Sequence, residues 1–234
     1  MKFLYNTLNM DKSIKEHVKE LLEKRDYDRL FELCESDRKY WKEVRFKLYD
    51  IDEKLLWPAI ETFALIMKRW WEAGKEGKVR EYIRNLFWSI NDESGGIGWN
   101  SPQTIAEIIT KIPPLIDPYG SMMIAHCLEE PSLVKGCLWG IGRLGKRLAE
   151  SLDFFKDKVL SVFQSDDIET LGLAAWAMGE AGFKPAMPFI EKLLWIKDPV
   201  RIYIERDFRE KSLKKWAECA IAKIENRNRY QSTL

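Results

Sequence analysis

"LAAWAMGEAGFKPAMPFIEKLL", residues 173–194, decides the architecture. Its first half sets small and apolar residues at helical spacing around Trp176 and Gly179. Its second half carries prolines at 185 and 188 ahead of a further apolar run. Proline fits the first turn of a helix, where its missing N–H has no intrahelical acceptor to lose. The stretch therefore reads as two helices joined in a hairpin. The first half recurs, because "CLWGIGRLG" (137–145) superposes without a gap on "AAWAMGEAG" (174–182). Trp139 then matches Trp176, Gly142 matches Gly179 and Gly145 matches Gly182.

The same frame extends to "PQTIAEII" (102–109), "IETFALIM" (60–67) and "ECAIAKIE" (218–225). Its small-residue anchors are Ala64, Ala106, Gly142, Gly179 and Ala222, separated by 42, 36, 37 and 43 residues. Two helices approach closely only where one of them presents Ala or Gly. Glycine inside a helix costs about 1 kcal/mol relative to alanine, so close packing has to offset that loss. A single hairpin cannot bury its own apolar face, whereas a stack of hairpins can. The expected fold is all-α, an α-solenoid of about five helical hairpins in one domain over 1–234. Within it, 1–37 forms an N-terminal helical cap, 38–199 the repeats, and 200–234 a small β-hairpin insertion, a final helix and a tail. The insertion is read from "VRIYIERDFREKSL" (200–213), which alternates apolar and polar residues and turns through "ERD", with Ser212 placed to cap the final helix.

Over about residues 40–225 the pattern resembles the HEAT-like repeats first grouped with phycobilisome lyases, most clearly in residues 173–194. "FWSINDESGGIGW" and "CLWGIGRLG" resemble segments of an uncharacterised HEAT-like family of anaerobic bacteria and archaea, for which no activity is established. The resemblance implies a fold and leaves the activity open.

Composition narrows the function classes. The chain carries 38 basic and 37 acidic residues, for a net charge of +1. That balance counts against a protein held on nucleic acid by phosphate contacts. Residues 201–234, with nine Lys or Arg against five acids, read as a solvated tail. The first residues contain no sustained apolar run of the signal-peptide kind, and no apolar stretch is long enough to span a bilayer. Cysteines at 34, 127, 137 and 219 form no C-x-x-C pair, which fits buried thiols in a reducing cytoplasm.

Two features stand out as candidate sites. The first is the joint "NDESGGIGWN" (91–100), given ten residues where other joints are short. Joints such as "YDIDE" (49–53) and "SDDIE" (165–169) carry acids placed to cap helices. Ser101 and Pro102 already signal the next helix start, so Asp92 and Glu93 are not needed as caps. The loop is either a plug held by Trp99 or a polar recognition loop using Asn91, Asp92, Glu93 and Asn100. It lacks the lysine and the spacing of a phosphate-binding loop. The second is a stripe three before and one after each anchor: Glu61 and Leu65, Gln103 and Glu107, Trp139 and Arg143, Trp176 and Glu180, Cys219 and Lys223. It reads either as an aromatic-walled groove with charged teeth or as inter-repeat packing by the two tryptophans. The remaining tryptophans, including Trp88 and Trp195, are read as packing.

The partner-binding candidates are thus Asn91, Asp92, Glu93, Trp99, Gln103, Glu107, Trp139, Arg143, Trp176 and Glu180. A non-catalytic scaffold for a protein or peptide partner is the leading expectation, with no cofactor and no catalytic or metal-binding residue assigned. Two alternatives follow from the family resemblance: a glycosylase of the kind that removes alkylated bases, and a cofactor-attachment lyase or chaperone. Di-iron hydroxylases built from such repeats use adjacent His-Glu pairs, and His17-Val18 and His126-Cys127 depart from that pattern.

Overall fold

The structure is a computed structural model that describes residues 2–90 and 98–231, with side chains for 13–90 and 98–226. It is mostly helical, with one small antiparallel sheet near the C-terminus. The chain divides into two compact units, Met1–Ser89 and Ile90–Leu234.

The first unit contains α1 (Lys2–Glu23), α2 (Tyr27–Ser36), α3 (Arg38–Lys47), α4 (Glu53–Glu72) and α5 (Glu76–Ser89). Aspartates start three of these helices. Asp26, Asp37 and Asp52 accept from the backbone N–H of Arg29, Lys39 and Lys54 at 3.2, 2.8 and 3.0 Å. Each thereby satisfies an amide that the first turn leaves open. Helix α4 is buried on most of its surface and contacts α1, α2, α3 and α5, so it forms the centre of this unit. Trp41, Phe63, Trp70 and Tyr82 pack there with ring centroids 4.9 to 5.9 Å apart. Glu61 is buried in α4, where the Tyr27 hydroxyl and the Arg25 guanidinium satisfy its carboxylate.

The second unit contains α6 (Ser101–Lys111), α7 (Ile116–Cys127), α8 (Val134–Leu144), α9 (Ala149–Phe154), α10 (Lys156–Ser161), α11 (Ile168–Ala181) and α12 (Met187–Glu191). Strands β1 (Pro199–Ile204) and β2 (Asp207–Ser212) follow, then α13 (Leu213–Gln231). Helix α8 packs on α6, and α11 packs on both α8 and α13. Every residue of α11 from Thr170 to Gly179 is buried. That is the burial expected of a helix apolar all round and enclosed by its neighbours.

Close approach explains the glycines. A side chain at Gly142 would enter the ring of Trp176, and one at Gly179 would sit 2.7 Å from the backbone of Ala220. Ala64, Ala106, Gly142 and Gly179 are all buried, as their recurrence requires. Ala222 is exposed, and Ala220, two residues earlier, takes the contact expected of it. The register slips there because the β-hairpin lies between α11 and α13, and a fixed repeat length no longer governs the spacing.

The hairpin has the register Pro199↔Ser212 through Ile204↔Asp207, leaving Glu205 and Arg206 as a two-residue turn. Both turn residues have positive φ, 52° and 69°, as a turn matched to strand twist demands, although neither is glycine. Val200 of β1 fills the space that Gly172 leaves on α11. The hydroxyl of Ser212 accepts from the backbone N–H of Lys215 at 3.2 Å and caps α13.

Candidate functional site

The second unit carries a row of charged groups across α6, α8, α11 and α13. Glu107, one turn from the end of α6, is 4 % exposed. Arg143 of α8 donates to its carboxylate from Nε at 2.7 Å and Nη2 at 3.2 Å, and Lys111 approaches to 3.1 Å. Burial alone would raise this carboxyl. The paired hydrogen bonds and the charges of Arg143 and Lys111 outweigh burial and hold it below the usual glutamate value. Arg147 extends the row by donating to the carbonyls of Leu144, Arg143 and Thr110. These oxygens lie at the ends of α6 and α8, where backbone acceptors are unsatisfied and cations are favoured.

Gly145 links this group to α11. Its left-handed backbone (φ 58°) brings it against Glu180, where an added Cβ would lie 3.1 Å from the Glu180 carbonyl. One carboxylate oxygen of Glu180 accepts both the indole N–H of Trp176 at 3.0 Å and the ammonium of Lys223 on α13. Two ion-pair groups, Lys111–Glu107–Arg143 and Glu180–Lys223, thus lie on successive packed helices and make up the row.

Beyond Lys223 the row opens into a cleft of about 250 Å³ between the hairpin and α13. Arg209 and Lys211 of β2 line it with Trp216, Cys219 and Lys223 of α13 and Trp176 of α11. Glu205, also on its wall, pairs with Arg209. Two indoles fix the hairpin that forms this wall. Trp139 donates to the Tyr203 carbonyl at 2.7 Å, and Trp216 donates to the Val200 carbonyl at 3.0 Å.

Of the stripe read from the sequence, Glu107 and Arg143 pair across α6 and α8, and Glu180 and Lys223 pair across α11 and α13; Glu61 and Leu65 lie in the first unit, and the two tryptophans are packing elements. Trp139 and Trp176 are 6 % and 7 % exposed, and both indole N–H groups are engaged within the unit. Trp176 gives the cleft only a narrow edge and Trp139 does not line it, so the pair does not form the aromatic walls of an open groove. Gln103 is half-buried, with its side-chain carbonyl against Gly136 and, among the described residues, without a hydrogen-bond donor. Trp99 is half exposed at the start of α6, so on the described side it is no buried plug. Asn91, Asp92 and Glu93 lie outside the described residues. Trp88 and Trp195, expected to pack, are 58 % and 86 % exposed.

Arg209 and Lys211, both on the cleft wall, are not among the residues expected from the sequence, where the charge of 201–234 reads as a solvated tail. The alternation in 200–213 was the available signal, since it puts Arg209 and Lys211 on the same face of β2. Among the described residues, no three His, Cys, Asp or Glu side chains are grouped to hold a metal, and no helix is long and apolar enough to cross a membrane. Compared with known proteins, the chain matches no family model and no curated protein.

Proposed function

We propose that this protein is a non-catalytic scaffold that binds a protein or peptide partner, with its second unit built as a short HEAT-like solenoid. The observation carrying this reading is the charged row, formed by residues 36 and 43 positions apart in the chain that meet across successive packed helices. Stacked hairpins present such rows as an extended surface, and this is how solenoids bind extended ligands. The row holds acids and bases in alternation, with paired geometry fixed before any partner arrives, which favours specificity by charge register. Three of its four cysteines are buried thiols, in keeping with work in a reducing cytoplasm.

The test is selection of a phage-displayed random-peptide library on the intact protein. Enriched peptides should bind the wild type and lose about tenfold or more in affinity for a Lys223→Glu/Arg147→Glu variant, as expected when charge pairs are reversed. Absence of any enriched peptide, or enriched peptides indifferent to the double substitution, would sink the reading.

A further inference from the structure

We propose that the cleft between the hairpin and α13 is an anchoring subsite for a carboxylate of an acidic peptide, with Lys211 as the cation that holds it. This rests on the peptide-binding reading above and names the chemistry of the ligand. The two carboxylates on the cleft wall are already matched, Glu180 by Lys223 and Glu205 by Arg209. Lys211 is the third cation. Its ammonium lies over the Trp216 ring, 4.6 Å from the centroid, and 3.6 Å from the sulfur of Cys219. A thiol is a weak partner for an ammonium. The indole holds the lysine in place but cannot accept the strong, short hydrogen bonds that a carboxylate offers. Among the described residues the lining therefore has one positive charge beyond its own acids, on a half-buried side chain in a preformed recess.

The size of the recess and the surrounding charge narrow the ligand. A volume of about 250 Å³ is below the roughly 300–1,000 Å³ of pockets for whole small molecules. It suits one side chain or chain terminus of a longer ligand. Along the rest of the row, Lys111, Arg143 and Arg147 surround the single carboxylate Glu107. The excess is positive at both ends, yet Glu107, Glu180 and Glu205 interrupt it. A nucleic acid, with a phosphate at every step, would meet those acids at close spacing. A peptide can space its carboxylates to match the cations.

The experiment uses the full chain and a fluorescein-labelled oligo-glutamate peptide, with oligo-lysine and oligothymidylate of equal length as comparators, read by anisotropy. The oligo-glutamate should bind best and weaken with salt. Lys211→Met should lower its affinity about tenfold, Lys211→Arg should retain it, and Lys214→Met on the outer face of α13 should change nothing. The bound peptide should also slow alkylation of Cys219 by iodoacetamide, whether or not the Lys211 variants fold perfectly. Equal affinity for Lys211→Met, tighter binding of either comparator, or an unchanged alkylation rate would overturn the proposal. If library-selected peptides bind while oligo-glutamate does not, the scaffold reading stands and the carboxylate subsite falls. If neither binds, both fall.

Discussion

Glu107 and Arg143, 36 residues apart, face each other across α6 and α8 through two hydrogen bonds, one carboxylate oxygen to each guanidinium nitrogen. Glu107 is buried, whereas the Arg143 side chain is 40 % exposed. Removing the arginine leaves a carboxylate deep in the unit that faces Lys111 alone among the cations described around it. Arg143→Met should therefore destabilise the protein by about 2 kcal/mol, below the full value for a broken buried pair because water reaches one side. Adding Glu107→Gln should recover part of that loss. Urea denaturation of the four members of this double-mutant cycle measures the coupling.

The same pair sets an acid limit. Because the Glu107 carboxyl is held below its ordinary value of 4.5 when folded, its contribution is fully present above that pH. It is lost as pH falls through the folded value, where the native carboxylate finally takes up its proton. The stability gap between wild type and Glu107→Gln should be widest near neutrality and close in acid. A gap that widens below pH 4.5 would show that the ionised pair does not stabilise the fold.

Two glycines in helices should respond in opposite directions to alanine. Gly179→Ala drives a methyl to 2.7 Å from the Ala220 backbone, which cannot move aside as a flexible side chain could. A loss of about 2–3 kcal/mol is expected from overpacking, despite alanine's better helix propensity. Gly77→Ala in α5 meets nothing within 4 Å and should stabilise by about 0.5 kcal/mol. Thermal melts of the two variants decide the matter.

Thiol labelling of the native protein should be selective. Burial pushes the Cys34 thiol up to about 12, and burial together with the adjoining Cys127 thiol raises Cys137 well above the ordinary range. Cys127 is fully buried as well, while Cys219 is half-buried on the cleft wall. Peptide mapping after brief iodoacetamide treatment should find Cys219 modified first, with the other three protected until urea is added. Early modification of Cys34 or Cys137 would contradict the packing described.

The hairpin turn stores strain. Glu205 and Arg206 both occupy left-handed backbone, which costs a non-glycine residue roughly 1 kcal/mol. Replacing them with Asn-Gly should stabilise the protein by about 1 kcal/mol, since the lost Glu205–Arg209 pair is exposed and worth little. Chemical denaturation checks this.

The recurrence of Gly142 and Gly179 was legible in the sequence because a small residue at a helix crossing leaves no substitute, and the contact therefore repeats with its neighbours. The hairpin was equally legible, since alternation of apolar and polar residues has one meaning over so short a run. Ala222 was misassigned because the hairpin changes the spacing before α13, which puts Ala220 against Gly179. Spacing also cannot report what covers an indole. The burial of Trp139 depends on the carbonyl of Tyr203, 64 residues later, which the hairpin brings across. Trp195 shows the converse, an aromatic residue at an apparently packed helix end that stands in solvent. The cleft went unseen because its cations lie on β2 and α13, elements that become neighbours only on folding.

Amide chemical-shift mapping with a library-selected peptide tests the binding row most directly. The expected result is a set of perturbations along residues 103–111, 143–147 and 180 and through 205–223, with the rest of the chain unchanged. Perturbations centred instead on the exposed aromatics Phe154 and Trp195, with none along that row, would contradict it.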